Sequence, residues 1–263
     1  FVGIKIAIFI IFIIINIKIK MVDTLYPKVS VIIPTYNRFE FLKNAVSSVK
    51  NQINYPKDKI EIIIINDGST QKEYYDEELT HEVYANCIVI NQIENSKVEF
   101  GYGCVGYNRN EAVKRATGEY LAFLDDDDYW LPHKLDLQMS EMLKQNFEFS
   151  CTDGLYGRGT YNSEKNYPKY NREYHWKFLS NKLGFKDDFP DVWDLNLIRR
   201  WNLIINSSVV MKKSLYERAG GMPYKRRGQD YECWKNCLQF TDVLYIKTPC
   251  MYYDDLHGHG QNH

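Results

Sequence analysis

Four carboxylates in a row, Asp125 to Asp128, follow an unbroken apolar run at residues 120–124. That run, placed after the turn signal Thr117-Gly118, reads as a short, fully buried strand, so the acids stand at its carboxyl end. Open α/β sheets bind ligands in the crevice beyond such strand ends. Neighbouring carboxylates beside a core repel one another unless positive charge lies between them, and a hard divalent cation with oxygen ligands meets that need. Mg2+ or Mn2+ held by one or two carboxylates keeps positions open for phosphate oxygens. The plainer alternative is a solvated turn whose aspartates cap a helix starting near Trp130-Leu131-Pro132, since Asp suits the N-cap and Pro the first turn. Arg109, early in the helix that leads to the acidic strand, is either a partner for an anionic ligand or a surface ion pair. The GYGCVG run ahead of it resembles a phosphate cradle only loosely, because it does not follow its strand directly.

The surrounding elements decide where these groups can meet. Residues 29–33, VSVII, and 60–65 read as buried strands joined by a helix at 39–50, with Phe41, Leu42, Ala45, Val46 and Val49 on one face. A strand, helix, strand order this short marks a parallel unit with a right-handed crossover, so residues 35–38 and Asp67 should share one edge of the sheet. Further strands are predicted at 87–90, 147–152, 206–211 and 243–246, with helices at 107–116, 132–144, 212–219 and around Trp234. Residues 154–175 show no periodicity and read as a long loop of the kind that covers a site. Trp130, Trp193 and Trp234 could stack on sugar rings, although a tryptophan is more often core packing.

The chain of 263 residues can hold one large α/β domain or two small ones, and its net charge of -1 gives no support for a nucleic-acid partner. Six cysteines without a C-x-x-C pair make zinc a poor reading; reduced, mostly buried thiols suit a cytosol-facing domain. Residues 1–20 stand apart. Between Lys5 and Lys18 lie twelve residues, nearly all aliphatic or Phe, which as a helix would span about 18 Å against a hydrocarbon core of about 30 Å. A membrane anchor with snorkelling lysines, an uncleaved secretory signal, and a non-native extension all remain open for this stretch. The protein is accordingly expected to be cytoplasmic, or membrane-anchored through residues 1–20, with the fold confined to 21–263.

The motifs VSVIIPTYNR, EIIIINDGS, NRNEAVKRATGEYLAFLDDDD, INSSVVMKKSLYERAGGM and GQDYECW, in that order, resemble glycosyltransferase family 2. The resemblance runs from about residue 28 to the tail, leaving out much of 154–200. It implies the GT-A fold: one Rossmann-like α/β domain with a central, mostly parallel sheet flanked by helices. Its nucleotide-binding half would cover about 28–128 and its acceptor half about 129–263. It further implies that Pro34, Thr35, Tyr36, Asn37, Arg38 and Asp67 hold the nucleoside, typically uridine, of a nucleotide-sugar donor, with Arg109 near the diphosphate. The Asp-x-Asp motif falls on Asp125 and Asp127 as ligands of Mn2+ or Mg2+, with Asp126 an added donor-binding acid. Asp230 takes the place of the catalytic base, with Gln229 where Glu is common; read without the family, Asp230 would be a helix N-cap. His257 is a candidate metal ligand, as is His259, although Asp254-Asp255 stand where a companion arginine would be.

The implied activity is inverting transfer of a sugar to an acceptor hydroxyl on a glycan, lipid or protein. A processive polysaccharide synthase fits poorly, because no Gln-x-x-Arg-Trp follows Asp230. The alternatives are an inactive nucleotide-sugar or glycan-binding module, and a nucleotidyltransferase, which would release pyrophosphate.

Overall fold

The computed structural model describes residues 26–256. Its first elements are β1 (Val29–Thr35), α1 (Phe39–Lys50), β2 (Ile60–Asn66), α2 (Glu77–Tyr84), β3 (Cys87–Asn91), α3 (Ser96–Phe100), α4 (Val105–Arg115) and β4 (Tyr120–Phe123). Then come β5 (Tyr129–Trp130), α5 (Lys134–Gln145), β6 (Phe149–Gly157), α6 (Trp176–Leu183), β7 (Val192–Trp193), α7 (Leu195–Arg200), β8 (Val210–Lys212), α8 (Lys213–Arg218), α9 (Gln229–Cys237) and β9 (Val243–Asp254). Among the described residues nine strands join one sheet in the order β3-β2-β1-β4-β8-β6-β9-β5, with β7 paired to β9.

From β3 to β4 the pairing is parallel, as the strand–helix–strand pattern requires. Beyond β4 it is mixed: β8 runs antiparallel to both β4 and β6, while β6 and β9 are parallel. The continuous apolar character of β2 follows from cover on both faces. Ile62 and Ile64 pack with Val31, Ile33 and α1, while Ile63 and Ile65 pack with Ile32, Phe123 and the α4 residues Ala112 and Val113. In the parallel register Thr35 lies opposite Asn66, and Ile32 opposite Phe123. The residues just after β1, β2 and β4 therefore share one edge.

The second half departs from the sequence-based boundaries. The expected loop at 154–175 is shorter than its sequence suggests: residues 158–168 have no regular structure, but β6 extends to Gly157 because residues 150–157 pair with β9, which itself continues to Asp254. Pro249, which has no N–H to give, sits opposite Asp153 where the register shifts, so the apolar run at 243–246 looks finished although the strand goes on. Lys169 bridges back to Leu155, and Tyr170–Tyr174 form a π-helical turn before α6. The expected strand at 206–211 divides into a 3-10 turn, Asn206–Ser208, and the short β8.

Trp130, Trp193 and Trp234 are fully buried, so these three are core and not sugar platforms. The six cysteines are free. No helix among the described residues is long and apolar enough to cross a membrane. The expectations placed on residues 1–20, His257 and His259 fall outside the described residues.

Candidate active site

Beyond β4 the acidic run forms a tight turn in which Asp128 N–H donates to the Asp125 carbonyl at 3.1 Å. Asp126 and Asp128 are buried, whereas Asp125 and Asp127 are partly open. The capping alternative does not hold. Strand β5 intervenes, and the residue at the N-cap of α5 is His133.

The turn rests on a polar floor. Ser207 Oγ accepts from Asp125 N–H at 3.0 Å, and the buried Trp130 indole donates to the Ser207 carbonyl at 2.8 Å. One residue on, the Ser208 carbonyl accepts from Lys134 Nζ and Gln138 Nε2, each at 2.9 Å. Lys134 is fully buried, its Nζ lying 4.7 Å from the Trp130 ring centroid. Burial pushes its amine down to about 7.

Two arginines face the acids from other elements. Arg38, just before α1, donates to Asp127 at 2.9 Å and Asp126 at 3.3 Å. Arg109, on α4 and only 4% exposed, pairs with Asp125, which also accepts from Asn206 Nδ2 at 2.9 Å. It is therefore a half-buried ion pair and not a surface one. Asp230 lies in the first turn of α9, whose N-cap is Gly228. Burial pushes the Asp230 carboxyl up, and the Arg109 guanidinium pulls it back. The N-cap reading of Asp230 is thereby corrected, because a left-handed Gly228 (φ 69°) occupies that position.

A cleft of ≈ 320 Å³ brings these groups together: Asp125 to Asp128, Arg38, Arg109 and Asp230 all line it. Of the run from residue 34 to 38, only Pro34 and Arg38 reach its wall. Thr35 is buried against the Tyr74 hydroxyl, 2.5 Å away. Tyr36 is half-buried outside the cleft lining. The Asn37 side chain accepts from Thr70 N–H at 2.7 Å and Gln71 N–H at 3.0 Å, which ties it into the neighbouring loop. Asp67 sits on the expected edge but does not line the cleft. Its carboxylate accepts from Ser96 N–H at 2.7 Å and Ser96 Oγ at 2.8 Å, at the start of α3.

Among the described residues, no group of three or more His, Cys, Asp or Glu side chains is gathered closely enough to hold a metal ion. Asp125 and Asp127 are turned to arginines instead. The donor set nevertheless fits a hard cation in kind. Burial pushes the Asp126 carboxyl up to about 6 despite Arg38, and burial with the Asp126 and Asp125 charges pushes Asp127 up to about 7. Asp126 Oδ2 is a buried oxygen with no hydrogen-bond partner. Arg109 Nε, Asn206 Oδ1 and Gln229 Oε1, all on cleft-lining residues, are in the same condition. Unpartnered buried polar atoms concentrated in a concave site are what a polar ligand would satisfy.

Several lining residues were not singled out from the sequence: Tyr170, Asn202 to Asn206, Arg226, Arg227 and Tyr253. They sit in turns and at the end of an extended strand, where no periodic pattern marks them. The GYGCVG run does border the cleft through Gly103 and Val105. Its Gly106 has a steric role: a Cβ there would lie 2.6 Å from the Pro223 carbonyl oxygen and 3.4 Å from Gln229. Only glycine lets α4 approach the segment that leads into Asp230.

The family model for glycosyl transferase family 2 matches residues 30–201, and the chain belongs to that family. It is 37% identical over 134 residues to a putative teichuronic acid biosynthesis glycosyltransferase, TuaG, of Bacillus subtilis, covering 48% of this chain and 46% of that one. It is 31% identical over 128 residues to the Escherichia coli UDP-Glc:alpha-D-GlcNAc-diphosphoundecaprenol beta-1,3-glucosyltransferase WfgD, covering 46% and 43%. The chain thus spans less than half the length of either relative. Among solved structures, Staphylococcus aureus TarS 1-349 in complex with UDP-GlcNAc superposes with a TM-score of 0.65 at 20% identity, covering 89% of this chain and 60% of that one. A Pyrobaculum calidifontis mannosyltransferase in complex with GDP-Man and Mn2+ gives 0.58 at 18%, covering 90% and 59%. The fold is GT-A, as the motifs imply.

Proposed function

We propose that the protein is an inverting glycosyltransferase that moves a sugar from a nucleoside-diphosphate donor, a UDP-sugar, to an acceptor hydroxyl. The observation that carries this reading is the shared cleft, where Asp125 to Asp127, from the end of β4, face the same space as Asp230, from α9.

In this reading Asp230 accepts the acceptor's hydroxyl proton as that oxygen attacks the anomeric carbon, and the bond from that carbon to the diphosphate oxygen breaks. A nucleoside diphosphate departs and the configuration inverts. A carboxyl raised by burial is a stronger base than an exposed aspartate, which suits this task. Arg38, on the cleft wall, is placed to meet donor phosphate oxygens, as is Arg109. Asp127 with Asp125 would hold Mn2+ or Mg2+, which when bound supplies Lewis-acid neutralisation of charge growing on the leaving diphosphate. The nucleotide-binding part is assigned to about 28–128 and the acceptor part to the remainder. Membrane association through residues 1–20 would place acceptors on a lipid within reach. Support for a nucleotide-sugar donor comes from the UDP-GlcNAc and GDP-Man held by the two structural neighbours.

The test is nucleoside diphosphate release by the full chain from a panel of nucleotide sugars with Mn2+, with and without a chelator. The expected outcome is chelator-sensitive release that falls about 10²- to 10⁴-fold in Asp230→Asn with donor binding retained. Undiminished release in that variant would remove Asp230 from the mechanism. Pyrophosphate as the product would point to a nucleotidyltransferase, and donor binding without turnover to a binding module.

A further inference from the structure

At the rim of the cleft two large aromatic side chains stand in solvent among cations. Phe178 on α6 and Trp201 just after α7 are 49% and 40% exposed, their ring centroids 5.0 Å apart and edge to face. Lys182 Nζ lies 4.6 Å from the Trp201 ring centroid. Lys177, Arg199 and Arg200 are also exposed, and Arg200 donates to the Lys182 carbonyl at 3.2 Å. Among the described residues none of these four cations is held in an ion pair with a carboxylate; the nearby Arg172 and Lys247 pair with Asp188. Asp194, the acid at the start of α7, is occupied in accepting from Leu197 N–H at 2.8 Å. In a chain of net charge -1 these four cations gather on α6 and α7, which the Phe178–Trp201 contact and the Arg200–Lys182 bond hold together.

The patch is continuous with the cleft. Asn202 and Leu203, directly after Trp201, line it, as do the exposed Arg226 and Arg227. The Tyr231 hydroxyl on α9 donates to the Ile198 carbonyl at 2.7 Å and the Arg199 carbonyl at 3.3 Å, joining the end of α7 to the helix that carries Asp230.

We infer that this face docks on an anionic lipid surface. Amphipathic rings settle at headgroup depth, and long unpaired cations gain from a diffuse negative charge without needing acids at fixed positions. A folded protein partner would call for such fixed acids, and a neutral glycan would leave the cations without a counterpart. The inference depends neither on the reaction proposed above nor on residues 1–20, which contain no tryptophan.

That last fact supplies a local probe. Of the other tryptophans, Trp130, Trp193 and Trp234 are fully buried and Trp176 is half-buried. The full chain is mixed with vesicles of phosphatidylcholine brominated on its acyl chains, alone or with equimolar phosphatidylglycerol, and tryptophan fluorescence is read. Quenching is expected on the anionic vesicles only, reversed by added salt, and lost in Trp201→Phe. Each cation near such a surface strengthens partition about fivefold, so Lys182→Glu with Arg199→Glu and Arg200→Glu should raise the lipid concentration needed about 100-fold or more. The salt reversal on the unmodified chain keeps the test independent of whether the triple variant folds. Quenching that is equal on neutral and anionic vesicles, unmoved by salt, or retained in Trp201→Phe overturns the inference.

Discussion

Arg109 donates to Asp125 and its charge is also felt by Asp230, so one buried guanidinium serves two carboxylates that the chain brings from β4 and α9. Replacing it by Gln removes the positive charge that favours the ionised form of Asp230. The Asp230 carboxyl, already raised by burial, then moves further up. In the proposed mechanism Asp230 is the base and must be deprotonated to act, so the acid limb of the pH–rate profile should shift to higher pH. Stability should fall by about 1–3 kcal/mol, because the ion pair with Asp125 and its charge-assisted hydrogen bond are lost. A limb that stays in place in Arg109→Gln would contradict the coupling.

Asp127→Asn should separate cation binding from stability. In the folded, metal-free chain this carboxyl is pushed up to about 7 by burial and by Asp126 and Asp125. Its folded value lies above its unfolded one, so its contribution is fully present at acidic pH and is lost as pH rises through about 7. The Asn variant lacks this loss. It should melt at or above the wild-type temperature on the alkaline side of about pH 7, and, if the proposed cation binding holds, lose most of the rise in Tm expected of the wild type with Mn2+. Thermal melts with and without the cation check both halves.

Far from the cleft, Glu61 ties β2 to β1 and to the turn before β4. It accepts from Lys28 Nζ at 2.9 Å, Ser30 Oγ at 2.5 Å and Thr117 N–H at 2.8 Å. Burial opposes its ionised form, but these bonds win and hold its carboxyl down to about 2. The depressed value means stability that is present above the ordinary carboxylate range and lost as pH falls from about 4.5 toward 2. Glu61→Gln should cost about 2 kcal/mol at neutral pH, with the difference from wild type closing across that acidic window. Urea unfolding at neutral and acidic pH reads it directly.

Gly106 is a steric test of the site. A Cβ there meets the Pro223 carbonyl oxygen at 2.6 Å, backbone that must move for the side chain to fit. Gly106→Ala should push the 223–229 segment outward and displace Asp230. A shift of about 1 Å in a reacting group can cost about 10²-fold, so kcat should fall far more than KM changes. An unaltered kcat would mean that the segment has slack the packing does not suggest.

The parallel core was legible because its strands are buried on both faces and so read as plain apolar runs, and their common edge follows from the crossover geometry. That edge carries residues 35–38 and Asp67, and the acids stand at a strand's carboxyl end; the Arg38 bonds to Asp126 and Asp127 are seen only in the fold. The convergence of Asp230 is another matter: it depends on a left-handed glycine at 228 and on the close approach at Gly106, and only the resemblance pointed to it. Asp67 shows the limit of a motif, since its position on the edge was right while its carboxylate turns inward to Ser96. Tyr253 was hidden by Pro249, which breaks the pattern of β9 without breaking the strand.

The turn that carries the acids is clamped from beneath by Ser207, and Ser207 by the indole of Trp130, with Lys134 and Gln138 holding the next carbonyl. All four supporting side chains are fully buried. The electric field inside the cleft is therefore preorganised during folding: an arriving charge meets dipoles that cannot turn to greet it, and little reorganisation energy is left for the chemical step to supply.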